Sequence, residues 1–598
     1  MDEEITTLKD LCFQTIKLHF DQSSVADMEE LLTLPAGLLK ELLTQLNVCQ
    51  LHKLDPVFER KGVSLLSTWE RLYCKVQTRL KQRTFHNSRE LKAEVISLMF
   101  EQFLARDRLD RDIWTQVNIP SFVTAAVESV KHMTLTSCLN LHPDLTRGKP
   151  SPLSRLEKTV ESLTLRCANT TLSPMAEKSL FVLLHRFLEH GAVKHLTLAS
   201  GFLKYVPWLV PKSFEHKYHL NDLFGKPSTK DGPVAKFRRL NNSRDPWPDA
   251  INCCKKAWPG LKIQSLELHE GFVRGKWGCE MEELIRFLPS FKNLTALTLR
   301  SESPIRFHVL EELKDVFRGA RGEGDCRLRL CRLSISVMES PWLLPKFVKA
   351  CKQLRELDVE TGSKAMVYHR VTGKGKALER LSICMDRQKI KPDFLLDTLR
   401  MCPRLVSLHV SCMYLSYLRS QKELLNTLAE SNVALTHLSL MDLKLSDCTA
   451  ELVNLINVCK LEEVTIEDCR LLETSTNKSE TLHQLAAALT KLPSLRKLCL
   501  ARNRLSTDVN QLSQLFSGPA SASLESIDIR ANYILDSNFE PFAEALISRP
   551  TPRRLTLDLR ENPISEDLPA LVRLRPFCHI LIGKWRPGLA MADYVANM

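Results

Sequence analysis

The chain has 598 residues, of which 44% are hydrophobic and 26% charged, and its formal net charge is +13 at pH 7. These proportions are typical of a folded, soluble protein and exclude a fibrous or wholly disordered chain. No apolar run approaches the length of a membrane span, and the acidic N-terminus lacks the layout of a signal peptide. We therefore expect a cytoplasmic or nuclear protein, with no membrane partner, whose 19 cysteines stay reduced.

The N-terminal residues predict an amphipathic helix with an apolar stripe. Leu8, Cys12 and Ile16 are four residues apart and therefore share one side of a helix. The whole apolar set of this segment comprises Ile5, Leu8, Leu11, Cys12, Ile16 and Phe20. With Thr7 ahead of the first leucine, the pattern resembles a BC-box, the helix by which substrate receptors dock on the elongin B/C adaptor of cullin-RING ubiquitin ligases. The alternative is a stripe that packs on the chain's own domain, because such stripes are common.

A second helix is predicted directly after Leu34 and Pro35. The residue before a proline avoids the helical region, and Pro35 itself suits a helix start. Leu38 and Leu42 continue the apolar period, and the pattern resembles the cullin box linked to cullin-2. The pattern linked to cullin-5 has a second proline where this chain has Gly37. The choice between cullin-2 and cullin-5 therefore stays open, and an ordinary helix–turn–helix core is the alternative.

Internal repeats dominate residues 130–566. They follow L-x-x-L-x-L-x-x-N/C-x-L, the signature of a leucine-rich repeat. One repeat fills every slot with Leu495, Leu498, Leu500, Asn503 and Leu505. The repeats start at residues 130, 160, 193, 263, 294, 330, 354, 378, 405, 435, 461, 495, 524 and 554. This pattern predicts an α/β leucine-rich-repeat solenoid with parallel strands on the concave face and helices outside.

The repeats also predict what the polar residues do. Asn503, Asn532 and Asn562 are expected to bond the backbone of neighbouring turns, so that no buried polar group is left unpaired. Side chains between the leucines face the concavity, where solenoids commonly bind a partner. The candidate substrate-binding residues are Asp358, His409, Ser439, Thr465, Asp528 and Asp558. Two residues further along the chain, at the next position that faces the concavity, come Glu360, Glu467, Arg530 and Arg560. The alternative for each is an ordinary solvated surface.

A long insertion separates the repeats that start at 193 and 263. Residues 199–262 are rich in proline and hold 12 Lys and Arg against 5 Asp and Glu. This composition predicts a long basic loop. Its run Lys236–Arg239 raises nucleic acid binding as an alternative, but the aromatic interleaving of a stacking platform is missing, so we favour a solvated loop.

The patterns divide the chain into five segments. A helical BC-box and cullin-box domain spans 1–85, and a helical connector that caps the solenoid spans 86–129. Repeats occupy 130–198, the basic insertion 199–262, and further repeats with a C-terminal cap 263–598.

Motifs that carry chemistry are missing from the sequence. It has no Cys-x-x-Cys for zinc, no phosphate-binding loop, no His-Glu-x-x-His and no Gly-x-Ser-x-Gly. We therefore expect a non-catalytic protein without metal or cofactor.

The whole layout resembles the leucine-rich repeat-containing protein 41 family. The clearest stretches are Leu435–Glu473, with Leu-Ser-Leu-Met-Asp-Leu-Lys-Leu-Ser-Asp-Cys at 438–448, and Ala592–Val595. Two features depart from that family's pattern: the insertion is shorter, and Gly37 replaces the second proline of the cullin box.

The resemblance implies a substrate-recognition subunit of an elongin B/C–cullin–RING E3 ubiquitin ligase. The residues assigned to elongin C are Leu8, Leu11, Cys12 and Ile16, and those assigned to the cullin are Leu34, Pro35, Leu38 and Leu42. The partners are then elongin C and elongin B, cullin-5 or cullin-2 with a RING subunit, and an unidentified protein substrate on the solenoid. The alternative is a leucine-rich-repeat scaffold or inhibitor without a ligase role.

Overall fold

The structure is a computed structural model. It describes residues 8–20, 23–76, 87–105, 119–136, 151–166, 183–199, 262–270, 288–301, 303–318, 329–361, 377–385, 392–412, 418–473 and 477–583, together with the isolated positions 117, 145, 180, 285, 370, 371, 373 and 375. The chain forms two compact units. The first is Met1–Val273 with Ser290–Leu294, and the second is Arg274–Pro289 with Thr295–Met598.

The first unit opens with helices. They are α1 (Leu8–His19), α2 (Val25–Glu30), α3 (Ala36–Gln45), α4 (Val48–Arg60), α5 (Leu66–Val76), α6 (Ser88–Ala105) and α7 (Ile119–Ser129). Asn47 starts α4 with a capping box: its side chain accepts from the Gln50 backbone N–H at 3.0 Å, and the Gln50 side chain accepts from that of Asn47 at 3.1 Å. Asp55 is buried but compensated, because Lys92 Nζ lies 3.0 Å and Trp69 Nε1 3.3 Å from its carboxylate.

Four parallel strands complete this unit in chain order. They are β1 (His132–Thr136), β2 (Ser162–Arg166), β3 (His195–Leu198) and β4 (Ser265–Glu270), with α8 (Pro152–Thr159) between the first two. Leucines of the repeat template align across them, as in Leu163 with Leu196 and Leu196 with Leu266. Helix α6 covers the free edge of β1: Ser97 Oγ donates to the His132 carbonyl at 2.7 Å, and the Thr134 N–H donates to Glu101 at 3.0 Å.

The second unit is built from parallel strands joined by helices. Its strands, hydrogen-bonded in chain order, are β5 (Ala296–Ser301), β6 (Arg332–Met338), β7 (Glu356–Thr361), β8 (Arg380–Met385), β9 (Ser407–Ser411), β10 (His437–Met441), β11 (Glu463–Glu467), β12 (Lys497–Cys499), β13 (Ser526–Asp528), β14 (Leu555–Asp558) and β15 (Cys578–Leu581). Its helices are α9 (Phe307–Arg318), α10 (Leu344–Ala350), α11 (Asp393–Met401), α12 (Leu418–Ser431), α13 (Thr449–Val458), α14 (Lys478–Thr490), α15 (Asp536–Ser548) and α16 (Pro569–Leu574). A 3₁₀-helix over Ser506–Phe516 takes the helix position of one repeat. The predicted leucine-rich-repeat α/β solenoid is confirmed.

Buried asparagines connect successive repeats, as the sequence predicts. Asn503, Asn532 and Asn562 have no exposed surface. The Asn532 side-chain carbonyl accepts from the backbone N–H of Asn503, and that of Asn562 accepts from the N–H of Asn532, each at 2.8 Å. Asn532 Nδ2 also donates to the Leu500 and Ile529 carbonyls at 3.0 Å. The ladder satisfies backbone groups that the tight turns would otherwise bury unpaired.

Several sequence predictions lie outside the described residues. They are Ile5 and Thr7 of the N-terminal segment, the basic insertion apart from its two end residues, its run Lys236–Arg239, and the end of the predicted C-terminal cap with Ala592–Val595.

Candidate docking helices and repeat surface

Helix α1 presents apolar side chains to solvent. Leu8 is 79% exposed and Leu11 is 49% exposed, and Cys12 is also exposed. Ile16, the last residue of the predicted stripe, is half-buried. The helix therefore does not use Leu8, Leu11 and Cys12 to pack on its own domain, which was the alternative interpretation of the stripe.

The opposite side of α1 holds the helix in place. Phe13 and Phe20 are buried, so both belong to the domain core. The buried side chain of Gln50 donates from Nε2 to the Lys17 carbonyl at 3.0 Å near the C-terminal end of α1. Lys9 Nζ lies 2.7 Å from Glu41 Oε1 of α3. These contacts fix which face of the helix points outward.

Helix α3 places the predicted cullin-box residues at different depths. Leu34 is extended (ψ 143°) and half-buried, and Pro35 is exposed at the N-cap of the helix. Leu38 is 37% exposed, whereas Leu42 has no exposed surface. The assignment of Leu42 as a partner contact is therefore corrected, because its side chain lies wholly inside the domain.

The predicted concave-facing residues form one continuous row. Cα partners link Asp358 to His409 through Ser382, and His409 to Ser439 and Thr465. The same row continues through Cys499 to Asp528 and Asp558. Glu360 and Glu467 belong to the next row, where they are joined through Cys384, Ser411 and Met441. The structure thus brings the predicted strand residues onto one face of the sheet.

Charges at the C-terminal end of this row neutralise one another. Arg560 binds the carboxylate of Asp558 with Nε at 3.0 Å and Nη2 at 2.6 Å. Arg530 lies 3.7 Å from Asp528 and also reaches Glu467. Burial raises the pKa of Asp528 above its usual value, although the backbone N–H of Arg530 and the guanidinium oppose this.

The charges at the N-terminal end of this row are less compensated. Asp358 and Glu360 are exposed, and the contact of Asp358 is a hydrogen bond from Ser334 Oγ at 3.0 Å. His409 Nδ1 lies 2.9 Å from Ser439 Oγ. Burial lowers the pKa of His409, and the negative charge of Asp358 opposes this effect. Strand β7, with Asp358 and Glu360, therefore offers the more accessible acidic part of the surface.

Leu18 is a residue that the sequence interpretation missed. It lies on α1 and is 79% exposed, as much as Leu8. Leu18 follows Leu11 by seven residues, a spacing that places both residues on the same side of a helix and could have identified it from the sequence.

The described residues form neither a membrane-spanning helix nor a metal-binding cluster. None of the helices in that part of the chain is long and apolar enough to cross a membrane. The same residues hold no group of three or more His, Cys, Asp or Glu arranged to bind a metal ion.

The two units define the class of protein: a leucine-rich-repeat protein with an N-terminal helical domain that exposes an apolar helix face. No family model matches the chain. Leucine-rich repeat-containing protein 41 of Homo sapiens is 28% identical over 337 residues, which are 53% of this chain and 41% of that protein. The proteins of that name from Mus musculus and Rattus norvegicus match with the same identity and coverage. The predicted resemblance is confirmed, and the match spans about two-fifths of the length of these relatives.

Among solved structures, a chain of the Rad7 and Elc1 complex in yeast aligns with 82% of this chain and 93% of its own length. The sequence identity is 12% and the TM-score is 0.35, so this likeness is too low to support an argument about fold or function.

Proposed function

We propose that the protein is the substrate-recognition subunit of an elongin B/C–cullin–RING E3 ubiquitin ligase. The observation that carries the proposal is the outward-facing set Leu8, Leu11 and Cys12 on α1, a helix that its own domain anchors from the other side. The residues match the BC-box pattern, and their exposure leaves them available to an adaptor. The similarity to leucine-rich repeat-containing protein 41 supports the same assignment.

The distribution of exposed apolar residues supports a docking site in this region. The large apolar side chains that are exposed among the described residues number 13, and five of them lie within residues 8–38. Three of these five, Leu8, Leu11 and Leu18, belong to α1, and exposed apolar side chains on one element mark an interaction surface. Burying one leucine side chain in a partner contributes about 1.5–3 kcal/mol, so Leu8 and Leu11 together contribute about 3–6 kcal/mol. A micromolar Kd needs about 8 kcal/mol net of the cost of docking, so the docking surface has to include further contacts.

The second half of the proposed docking surface lies at the start of α3. Pro35 and Leu38 are exposed and Leu34 is half-buried, so these three residues form the proposed cullin contact. Leu42 supports them from inside the domain. The cullin is cullin-2 or cullin-5 with its RING subunit, because Gly37 leaves the pattern intermediate between the two.

The mechanism is proximity and involves no chemistry in this chain. The N-terminal helices hold the adaptor and the cullin, and the repeat surface holds a protein target. A target lysine is then presented to the ubiquitin-charged enzyme on the RING subunit at a high effective concentration. This role belongs to the cytoplasm or the nucleus.

The test is co-purification of the full chain with elongin B/C. The double variant Leu8→Ala/Cys12→Ala is expected to lose the adaptor, because both exposed contacts are removed. The matched control Leu535→Ala/Cys74→Ala also removes one exposed leucine and one exposed cysteine, neither of which belongs to α1, and should bind as the wild type does. Equal recovery of elongin B/C with both double variants would contradict the proposal.

A further inference from the structure

The exposed apolar face of α1 does not follow the stripe that the sequence predicts. Within the described residues, Leu8 and Leu18 are equally exposed, whereas Ile16 is half-buried. Leu8, Leu11, Thr15 and Leu18 are spaced by three, four and three residues. This is the spacing of a seam that runs almost parallel to the helix axis. The stripe Leu8–Cys12–Ile16 instead winds around the helix toward the domain.

Thr15 is the polar member of this seam, and its hydroxyl is already satisfied. Its Oγ1 donates to the Leu11 carbonyl at 2.9 Å. An apolar partner surface can therefore cover Thr15 without burying an unpaired donor. The seam from Leu8 to Leu18 is continuous along one unbroken helix, and at 1.5 Å per residue it is about 15 Å long.

The charged residues of α1 lie beside the seam. The ammonium of Lys9 is paired with Glu41 on α3, and Asp10 is half-buried. Lys17 is also half-buried, and its carbonyl is held by Gln50. A partner that covers the seam therefore meets leucine and threonine side chains, and a charged partner residue opposite Leu18 would be desolvated without compensation.

We propose that Leu18 is a further contact of elongin C, and that an apolar groove of the adaptor follows the seam Leu8–Leu11–Thr15–Leu18 over its full length. This inference rests on the proposed function, because it assigns the same partner to a longer surface. The continuity of the seam supports one occupant: Leu18 extends the face that carries Leu8 and Leu11, and the hydroxyl of Thr15 between them already donates to the Leu11 carbonyl.

The experiment measures the Kd of the full chain for immobilised elongin B/C. Leu18→Ala is expected to weaken binding about tenfold, which corresponds to the loss of one buried leucine side chain. Leu18→Asp should weaken it further, because a carboxylate would be desolvated in an apolar groove. Leu18→Met keeps the apolar volume and should stay within about twofold of the wild type. The control Leu535→Asp introduces the same change at another exposed leucine and should leave Kd unchanged.

The outcomes separate this inference from the proposed function. If Leu8→Ala loses binding while Leu18→Asp binds like the wild type, the seam ends before Leu18 and the inference is wrong, although the proposed function stands. Tighter binding by Leu18→Asp would mean that another segment of this chain covers Leu18, which also overturns the inference. If the wild-type chain does not bind elongin B/C, both proposals are wrong. Because Leu18 is exposed, its variants should melt within about 2 °C of the wild type, which excludes unfolding as the cause of weaker binding.

Discussion

Arg530 and Glu467 form an ion pair across an intervening strand. Arg530 Nη2 lies 2.8 Å from Glu467 Oε1, although Glu467 ends β11 and Arg530 follows β13. Glu467 is only 13% exposed at its side chain. The pair therefore ties three successive strands together on the concave face, and it also occupies two residues that the sequence nominated for binding a substrate. A target on this part of the surface would have to break the pair or bind around it.

Removing Arg530 is expected to destabilise the second unit. Arg530→Ala leaves the mostly buried Glu467 carboxylate and the partly buried Asp528 without their guanidinium partner, and should lower the free energy of unfolding by about 1–3 kcal/mol. Urea denaturation followed by circular dichroism measures this. The matched control is Arg380→Ala, which breaks a more exposed ion pair with Glu356 at 3.2 Å and should cost less than about 1 kcal/mol. If the two variants lose the same free energy of unfolding, the Arg530–Glu467 pair stabilises the protein no more than an exposed ion pair does.

Replacing a buried asparagine of the ladder should lower the free energy of unfolding far more than replacing an asparagine that caps a helix. Asn532→Ala removes the side-chain acceptor of the buried N–H groups of Asn503 and Leu505 and one of two side-chain donors to the carbonyls of Leu500 and Ile529, and should cost about 3–5 kcal/mol. Asn477 caps α14 by accepting from the Glu480 N–H at 3.1 Å, so Asn477→Ala should cost about 1 kcal/mol. Thermal and urea unfolding of the two variants compare them directly, and a loss near 1 kcal/mol for Asn532→Ala would be inconsistent with the ladder.

The repeat array was predictable because every repeat uses the same residue types for the same physical reason. Leu498, Ile527 and Leu557 occupy one slot of the template, and in the structure they are Cα partners on adjacent strands. All 14 predicted repeat starts lie one or two residues before a strand. Strand β15 was not predicted because the surrounding residues depart from the template: Phe577 stands in its first leucine slot, Trp585 in its asparagine slot and Pro587 in its last slot.

The orientation of α1 was not predictable from its own residues. The sequence places Cys12 and Ile16 on one stripe with Leu8, but the two are exposed to different degrees. What decides the outward face is packing with distant residues, since Phe13 enters the core and Gln50 of α4 holds the C-terminal end of the helix. A periodic pattern identifies an amphipathic helix, whereas only the tertiary contacts select the side that stays free.

His409 should make the stability of the second unit depend on pH. Burial lowers its pKa in the folded state, so the folded protein favours the neutral imidazole. The corresponding stability is present above the unfolded pKa of about 6.5 and is lost as the pH falls through the lower folded pKa. In His409→Gln, unfolding free energies measured between pH 7.5 and 5 should therefore decline less steeply than in the wild type. At pH 8 His409 is neutral in both the folded and the unfolded wild type, so the difference in unfolding free energy between the wild type and His409→Gln should no longer change with pH. An identical slope in the two proteins across the acidic range would contradict the prediction.

Leu38 and Leu42 should separate cullin recruitment from domain stability. Leu42 is fully buried, so Leu42→Ala should cost about 2–5 kcal/mol of unfolding free energy. Leu38 is 37% exposed, so Leu38→Ala should leave stability within about 1 kcal/mol of the wild type and still reduce the cullin recovered with the elongin B/C-bound chain. Measuring the recovery of cullin-2 and of cullin-5 in parallel then identifies the partner. Leu38→Ala should reduce the recovery of the cullin that binds, whereas the other cullin should stay at background level in both proteins. Unaltered recovery of both cullins with Leu38→Ala and with Pro35→Ala would remove the start of α3 from the docking surface while leaving the elongin contact on α1 untouched.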